Sequence, residues 1–314
     1  MARIAALFPG QGSQAVGMGR DLAERWPAAR SAFEHIDKGL GFELSKLCWL
    51  GPEDELRLTE NTQPALLAHS VAAWQVLSDH GLSVQAVAGH SLGEYSAVVA
   101  GGGLDAVDAA RTVKLRGRLM QQAVPVGEGA MAAVLGLDNE VVEQLCRQEA
   151  EASGEVVVAA NFNSPGQVVI AGSTAGVENT CVRAKEAGAR RAIQLPVSAP
   201  FHSPLMAPAR EGLTPALQDL GFRDLDVPLY RNVDATAVQA ADDVRQGLIR
   251  QVDAPVLWAQ TVERLVADGF DTFVEIGTGK VLSGLVKRVH RPATCFAAGT
   301  VEGIEKVIDE LAAS

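Results

Sequence analysis

The sequence predicts an α/β protein in which a mostly parallel sheet carries helices on both faces and a small subdomain is inserted. Two observations predict this fold class. Strand-like and helical patterns alternate in the first and last parts of the chain, which is typical of a parallel sheet with crossover helices. The middle of the chain instead follows the order β-α-β-β-α-β, the ferredoxin-like order of an antiparallel sheet with two helices.

The alternating part predicts the elements of a large domain formed by residues 1–126 and 198–314. Its predicted strands are 4–8, 84–90, 228–232, 272–276 and 294–298. Its predicted helices are 63–80, 105–123, 258–267, 281–290 and 304–312. Such alternation places most strands parallel in one sheet.

The middle part predicts a small ferredoxin-like domain formed by residues 127–197. Its predicted strands are 130–137, 156–161, 167–171 and 191–197, and its predicted helices are 139–151 and 175–188. Because this unit interrupts the large domain, a cleft should separate the two. Such a cleft is the default place for a ligand.

Composition limits the possible functions. The chain has 314 residues with 47% hydrophobic content, enough for a sizeable core, and no apolar run long enough to span a bilayer. A formal net charge of −11 argues against nucleic acid or an anionic membrane as a partner. Cys48, Cys146, Cys181 and Cys295 lack metal-ligand spacing and indicate reduced thiols in a cytoplasmic protein. Strand-like sequence begins at Ile4, so no targeting peptide is expected.

The sequence GHSLG at residues 89–93 is the most informative motif, because it joins a short apolar run to a helical stretch. A serine between two glycines at a strand-to-helix turn is typical of a nucleophile elbow, which needs small neighbours and holds the hydroxyl out at the end of the sheet. The Leu92 N–H, at a helix start, can point at a developing oxyanion. A glycine-rich turn with an incidental serine is the alternative, but the flanking strand and helix favour Ser91 as a nucleophile.

The loop after the first strand contains Gly10, Gly12 and Ala15, a near match to a dinucleotide fingerprint. We reject that interpretation, because the fingerprint needs a second strand that ends in an acidic residue, and residues 21–46 indicate helix and loop. The loop can instead place backbone N–H groups beside the elbow, with Gln11 as a second oxyanion donor. The spacing is equally compatible with a plain loop.

A serine nucleophile needs a base within hydrogen-bond reach, and two histidines compete for that role. His202 lies in the loop where the insertion rejoins the large domain, so it should border the cleft. His290 ends the predicted C-terminal helix, and serine hydrolases of this type place their histidine late in the chain. His90 precedes the serine and should point away from its hydroxyl. Position favours His202 without excluding His290.

Arg116 falls on the same arc as the small and apolar residues of the predicted helix 105–123. An arginine on a buried face needs an anion. The commoner explanation is an internal ion pair. The functional alternative is a bidentate clamp on a substrate carboxylate.

An ordered set of motifs resembles a known family. These are the loop 10–14, GHSLG, LRG at 115–117, NFNSPGQ at 161–167, FH at 201–202 and the stretch 250–252. Together they are similar to the malonyl-CoA:acyl-carrier-protein transacylases of type II fatty-acid synthases, over essentially the whole chain. The resemblance implies an α/β-hydrolase-like core with a ferredoxin-like insertion.

The same resemblance implies an acyltransferase. Its members transfer a malonyl group from malonyl-CoA to the phosphopantetheine thiol of acyl carrier protein, in a ping-pong reaction through a malonyl-serine, for fatty-acid or polyketide chain extension. Carried over to this sequence, Ser91 is the nucleophile and His202 the base and then the acid. The N–H groups of Gln11 and Leu92 form the oxyanion hole.

The resemblance also implies four substrate-binding residues. Arg116 binds the malonyl carboxylate, and the backbone carbonyl near Gln251 orients the histidine. Asn161 and Phe201 contact the substrate, and the bulk of Phe201 leaves little room for an α-methyl group. Thr278 departs from the family, in which proline is common at this position.

The expected partners follow from this chemistry. No metal or redox cofactor is expected, because phosphopantetheine is carried by the substrates CoA and acyl carrier protein. The acidic carrier protein should dock at a basic cluster drawn from Lys280, Lys287, Arg288, Arg190 and Arg191, although a solvated helix face also explains these charges. A cytoplasmic monomer is expected. Two rival functions are a serine thioesterase or hydrolase, and a catalytically silent scaffold subunit of a synthase.

Overall fold

The computed structural model describes residues 3–197 and 199–312, in which the strands form two separate sheets. The strands are β1 (Ile4–Phe8), β2 (Ala86–Gly89), β3 (Gly129–Leu135), β4 (Val157–Ser164), β5 (Gln167–Ser173), β6 (Arg191–Gln194), β7 (Leu229–Tyr230), β8 (Ala237–Val238), β9 (Thr272–Ile276) and β10 (Thr294–Ala298).

The helices surround both sheets. They are α1 (Arg20–Arg25), α2 (Pro27–Leu40), α3 (Leu44–Leu50), α4 (Glu53–Arg57), α5 (Thr59–Asp79), α6 (Gly93–Ala100), α7 (Ala106–Gln122), α8 (Asn139–Ser153), α9 (Thr174–Glu186), α10 (Ala207–Asp219), α11 (Ala241–Gln251), α12 (Trp258–Ala267), α13 (Val281–Val289) and α14 (Val301–Val307). A short 3₁₀ turn, Pro204–Met206, precedes α10, and a π-helical turn, Ile308–Ala312, follows α14. No helix in the described residues combines the length and the apolar composition needed to cross a membrane.

The large sheet has the strand order β10-β9-β1-β2-β7-β8. All its neighbouring strands are parallel except the pair β7 and β8. This arrangement confirms the predicted mostly parallel sheet. Because the carboxyl ends of β1 and β2 are paired in register, the loops that follow these strands leave the sheet side by side.

Both faces of the large sheet are buried. Phe8 and Val87 pack into a core shared with α2, α5, α6 and α7, whereas Leu7 and Ala88 pack into a core shared with α12 and α13. Burying a side chain such as Phe8 contributes about 1.5–3 kcal/mol. A continuous apolar strand is therefore required here, and β1 supplies it.

The small sheet has the antiparallel order β4-β5-β3-β6. With α8 between β3 and β4 and α9 between β5 and β6, this is the ferredoxin-like arrangement that the sequence predicts. Its own apolar core includes Val134, Val168 and Ile170. The boundaries 126/127 and 197/198 stay predictions, and the second falls on Ser198, which lies outside the described residues.

Several predicted elements differ in length from the observed ones. The helix predicted at 63–80 begins at Thr59 and continues through Pro64, because most of its residues are buried against the core. The strand predicted at 191–197 ends at Gln194, because β6 is an edge strand that pairs only with β3 and is largely exposed. Residues 21–46, where the sequence indicates helix and loop, hold α2 and parts of α1 and α3, and the sequence does not predict α10 and α11.

A short segment, residues 252–257, joins the two sheets. The Val256 N–H donates to the Ala160 carbonyl at 2.8 Å, and the Val256 carbonyl accepts from the Phe162 N–H at 2.9 Å, both on β4. The Leu257 N–H donates to the Asn232 carbonyl, just after β7, at 2.8 Å. We call this segment the strap.

Candidate active site

Ser91 lies in a strained turn between β2 and α6. Its φ of 49° falls in the left-handed region, which costs a non-glycine residue about 1–3 kcal/mol. The glycines on both sides are required. A Cβ on Gly89 would lie 2.0 Å from the Gly93 carbonyl, and one on Gly93 would lie 2.0 Å from the Phe8 oxygen. The predicted need for small residues in this turn therefore has a steric cause.

The Ser91 hydroxyl is hydrogen-bonded to a histidine. Ser91 Oγ lies 2.7 Å from His202 Nε2, and His202 Nδ1 lies 2.9 Å from the Gln251 carbonyl and 3.2 Å from the Ala254 carbonyl. Because carbonyls only accept, Nδ1 carries the proton and Nε2 is the acceptor for the serine hydroxyl. Arg116 Nη2 donates to the same Ser91 Oγ at 3.2 Å.

His202 is held in its neutral form. Burial and, after it, the nearby Arg116 charge together lower its pKa to about 3, and the hydrogen bond to the Gln251 carbonyl opposes both effects. A neutral imidazole whose unprotonated nitrogen faces a hydroxyl is arranged as a general base.

Two backbone N–H groups beside the serine are free to bind an oxyanion. The N–H groups of Gln11 and Leu92 donate no hydrogen bond within the described residues. The Ser91 N–H is occupied, because it donates to Asn232 Oδ1 at 2.7 Å. Since the loops that carry Gln11 and Leu92 leave adjacent strand ends, both donors belong to the same edge of the sheet.

The loop that carries Gln11 is held by hydrogen bonds within the loop and by one hydrogen bond from Thr278. Ser13 Oγ donates to the Gly10 carbonyl at 2.9 Å, and the Gly12 N–H donates to Gln14 Oε1 at 2.7 Å. Thr278 Oγ1 donates to the Ser13 carbonyl at 3.2 Å. The threonine that departs from the family pattern thus supports this loop.

Arg116 is 1% exposed and has no ionic partner in the described chain. Its Nη1 donates to Gln63 Oε1 and its Nη2 to Gln251 Oε1, both at 2.9 Å. Its Cζ lies 5.7 Å from the centroid of the Tyr95 ring. Within the described residues, Arg116 therefore forms no internal ion pair. Sequence reasoning did not single out Gln63. Because its partners are two neutral amides, the guanidinium keeps an uncompensated positive charge beside Ser91.

Two further buried residues, which sequence reasoning missed, support the site. Asn232 Oδ1 accepts from the Ser91 N–H, and its Nδ2 donates to the Gly89 carbonyl at 2.7 Å. Glu94 Oε2 accepts from the Asn232 N–H and from Gln251 Nε2, each at 3.0 Å. Burial raises the pKa of Glu94 to about 7. The position of Glu94 in the first turn after the elbow was the available signal.

Phe201 and Asn161 lie where the two sheets meet. Phe201 packs against both the main core and a small apolar cluster of the insertion, which contains Met131, Ala160, Val169 and Ala171. Asn161 is buried on β4 and forms a parallel backbone bridge to Val256. Its side chain makes no hydrogen bond in the part of the chain that the structure describes.

The other two histidines considered are not partners of the serine. His290 ends α13, and its N–H donates to the Val286 carbonyl. Its side chain has no hydrogen bond to Ser91 in the described residues. His90 Nε2 lies 2.8 Å from Asn163 Oδ1 on β4, so its ring points toward the insertion. The geometry therefore places His202, rather than His290, next to Ser91.

Some of the predicted docking residues converge at one end of the small sheet. Leu135 pairs with both Gln167 and Arg191, and Arg288 on α13 donates to Gln167 Oε1. Arg190 precedes this pair and is exposed. We call Arg190, Arg191 and Arg288 the basic cluster.

The two lysines predicted to dock the carrier protein differ from the basic cluster in their contacts and location. Lys287 Nζ donates to the carbonyls of Arg291 and Ala293, so it closes the end of its own helix. Lys280 is exposed at the opposite end of α13, about 12 Å from Arg288 along the helix axis.

Comparison with known proteins agrees with this geometry. The family model described as "Acyl transferase domain" matches residues 6–304. The chain is 48% identical over 311 residues to the malonyl CoA-acyl carrier protein transacylase of Bacillus subtilis, covering 99% of this chain and 98% of that protein. It is 47% identical over 298 residues to the protein of the same name from Escherichia coli K12, covering 95% and 96%.

Solved structures are similar over the same length. The malonyl CoA-acyl carrier protein transacylase from Coxiella burnetii superposes with a TM-score of 0.96 at 38% identity, covering 99% of this chain and 98% of that one. A malonyl-transacylase solved in complex with a type II polyketide synthase acyl-carrier protein has a TM-score of 0.95 at 44% identity, covering 98% and 99%. The chain belongs to the acyl transferase family and, within it, to the malonyl CoA-acyl carrier protein transacylases.

Proposed function

We propose that this protein transfers the malonyl group from malonyl-CoA to the phosphopantetheine thiol of an acyl carrier protein. One observation carries the proposal: Ser91 Oγ lies within hydrogen-bond distance of both the basic nitrogen of His202 and the unpaired guanidinium of Arg116. In a malonyl ester the carboxylate is separated from the ester carbonyl by a single methylene. A cation beside the nucleophile is therefore within reach of that carboxylate.

In the first half-reaction, Ser91 Oγ attacks the thioester carbonyl while its proton passes to His202 Nε2. The N–H groups of Gln11 and Leu92 stabilise the oxyanion, and the helix that begins after the elbow adds a positive dipole end. Collapse of the intermediate breaks the carbon–sulfur bond. The CoA sulfur leaves with the proton from His202, and malonyl-Ser91 remains.

In the second half-reaction, the pantetheine thiol of the carrier protein gives its proton to His202 Nε2 and attacks the ester carbonyl. The bond to Ser91 Oγ then breaks, and the serine takes back the proton. One histidine thus acts as base and acid in each half. The chemistry requires no cofactor of the enzyme's own, because both pantetheine arms arrive with the substrates.

The site selects a malonyl group through the charge of Arg116 and through the limited space at the α-carbon. Arg116 binds the carboxylate in a site with little water, where an arginine fork matches both oxygens. Phe201, packed between the two sheets, restricts the room at the α-carbon, and Asn161 lies on the insertion side of the cleft.

The carrier protein docks at the basic cluster. The net charge of the enzyme is −11, so an acidic partner needs a local positive surface. Arg190, Arg191 and Arg288 supply such a surface from two elements that meet at Gln167. Lys287 does not belong to this surface, because its ammonium group is bound to backbone carbonyls.

The names of the relatives favour this function over a thioesterase. The geometry favours it too, since His202 Nδ1 contacts two carbonyls instead of the carboxylate of a triad, and Arg116 faces the serine. The test is intact-mass measurement after separate incubation with malonyl-CoA, acetyl-CoA and methylmalonyl-CoA, followed by addition of holo-carrier protein.

A malonyl adduct that persists until carrier protein is added supports the transferase. An adduct that water hydrolyses as fast without carrier protein as with it supports the thioesterase. The absence of any adduct indicates a silent subunit.

A further inference from the structure

We propose that Glu94 is a positioning residue for recognition of the malonyl carboxylate. By fixing the side-chain amide of Gln251, it holds the guanidinium of Arg116 beside Ser91. This inference rests on the proposed function and adds to it a determinant of specificity that does not contact substrate.

Glu94 is fully buried behind the nucleophile and has one bonded and one unbonded oxygen. Oε2 accepts from Gln251 Nε2 and from the Asn232 N–H, each at 3.0 Å. Oε1 has no hydrogen-bond partner in the described chain. A buried carboxyl is costly unless its bonds compensate, so its two contacts indicate a specific task.

The task is to set the orientation of the Gln251 amide. Gln251 Nε2 makes its two shortest contacts as a donor to the Ser91 carbonyl at 2.9 Å and to Glu94 Oε2 at 3.0 Å, and it lies 3.5 Å from Asn232 Oδ1. Gln251 Oε1 is thereby turned toward Arg116 Nη2. In the reversed orientation, an N–H would meet the guanidinium N–H, and the amide oxygen would face only acceptors.

The contact with Gln251 controls the reactive end of Arg116. Gln63 holds Nη1, whereas Gln251 holds Nη2, the nitrogen that also donates to Ser91 Oγ. If Gln251 loses its anchor, Nη2 loses its fixed position at the site where the malonyl carboxylate must bind.

The serine and its base depend less on Glu94. Asn232 fixes the elbow through side-chain bonds to the Ser91 N–H and the Gly89 carbonyl, whereas Glu94 contacts its backbone N–H. His202 is oriented by the backbone of Gln251 and Ala254, which the Gln251 amide does not control directly. Loss of the Glu94 contact should therefore impair recognition of the carboxylate more than acyl transfer itself.

The distance of Glu94 from Arg116 also has a function. A carboxylate in direct contact would neutralise the guanidinium and compete with the substrate. Separated from it by the neutral amide of Gln251, Glu94 orders the arginine and leaves its charge available. The charged groups that act on Glu94 are Arg231 and Asp234, with Arg116 beyond the amide.

Two conservative variants distinguish the effect of the position of the Glu94 side chain from the effect of its charge. Glu94→Asp keeps the acid but shortens its reach, whereas Glu94→Gln keeps an acceptor oxygen at full reach and removes the charge. The measured quantity is the ratio of malonyl to acetyl kcat/KM. We expect Glu94→Asp to lower this ratio by about tenfold through a higher KM for malonyl-CoA, the effect of losing one hydrogen bond to a charged group.

We expect Glu94→Gln to keep the ratio within about threefold of wild type, since a neutral amide oxygen makes nearly the same bonds. The matched control is Glu275→Gln. Glu275 is also fully buried, but it accepts from the N–H groups of Leu282 and Ser283 at the start of α13 and has no contact with Arg116. This control should leave the ratio unchanged, whatever its melting temperature.

The reverse result, a low ratio in Glu94→Gln and a normal one in Glu94→Asp, would overturn the inference, as would a normal ratio in both. If wild-type enzyme forms no malonyl adduct, the proposed function itself fails. If it does and the ratio does not respond to Glu94→Asp, only the role of Glu94 is wrong.

Discussion

His202 Nδ1 donates to the backbone carbonyl of Gln251 at 2.9 Å, in the place where a catalytic triad has a carboxylate. A carbonyl orients the ring, but it carries no full charge with which to stabilise an imidazolium. Because the ring is buried and Arg116 lies nearby, the resting histidine remains neutral, and its pKa falls to about 3. This relationship predicts the pH dependence of the enzyme.

Acylation by acetyl-CoA should persist at acidic pH. Because the pKa of His202 lies below its ordinary value of 6.5, the unprotonated base survives as the pH falls through 6.5 and is lost only well below pH 5. The measurement is single-turnover acylation from pH 8 to pH 4.5, in the Glu94→Gln variant, which lacks the other buried group that titrates near pH 7. An acidic limb with its midpoint near pH 6.5 would contradict the assignment.

Ser91→Ala should fold and form no acyl-enzyme, because no other hydroxyl in the described residues is hydrogen-bonded to His202. Intact mass after incubation with malonyl-CoA reports the adduct. The matched control is Ser96→Ala, which removes a buried hydroxyl without a hydrogen-bond partner in the described chain, one turn further along α6. A stable malonyl adduct on Ser91→Ala would show that another residue is the nucleophile.

Arg116→Ala should lose most malonyl transfer and keep acetyl transfer. Removing the partner of a desolvated carboxylate costs on the order of 2–5 kcal/mol, whereas an acetyl group leaves no charge unpaired. Arg116→Lys should be intermediate at best, because a lysine lacks the planar fork. The ratio of malonyl to acetyl kcat/KM is compared with that of Arg118→Ala, an exposed neighbour on α7. An equal ratio in both alanine variants would make Arg116 a structural residue.

Gly93→Ala should abolish the elbow. Its Cβ would lie 2.0 Å from the Phe8 carbonyl oxygen, which belongs to the central strand and cannot move aside. Expression and thermal melting report the damage. Gly284→Ala on α13 is the control, because its Cβ would meet nothing within 4 Å and alanine favours a helix by about 0.5–1 kcal/mol. A Gly93→Ala protein as active and stable as wild type would disprove the steric account.

Charge reversal in the basic cluster should weaken binding of the carrier protein and leave binding of malonyl-CoA unchanged. Arg191→Glu and Arg288→Glu should each raise the KM for holo-carrier protein and leave that for malonyl-CoA nearly unchanged, with a larger effect at low salt. Lys306→Glu on α14 changes the charge equally at an exposed position away from the cluster. Equal effects on both substrates, or the same effect from Lys306→Glu, would count against docking at this surface.

The sequence was sufficient for the parts of the fold and site that depend on local pattern. Apolar runs predict β1, β9 and β10 at their observed bounds, and the glycine spacing predicts the turn at Ser91. Helical periodicity predicts that Arg116 is buried.

Properties that depend on distant residues could not be predicted in this way. Whether Arg116 has an ionic partner, and which histidine faces Ser91, are decided by residues far apart in the chain. Glu94 and Asn232 are separated by 138 positions, and no local pattern links a carboxyl to a backbone N–H at that separation. The helices α1, α3 and α4 between β1 and α5 have only five to seven residues, so periodicity does not separate them from the surrounding loops.

The strap has a consequence for how the enzyme responds to movement. The same few residues hydrogen-bond to β4 of the insertion and to the loop after β7, and they follow directly from the carbonyl that holds His202. The alignment of the base is therefore coupled to the relative position of the two sheets. A shift of the insertion relative to the large sheet would therefore change the direction of Nε2 toward Ser91 without contact with either residue.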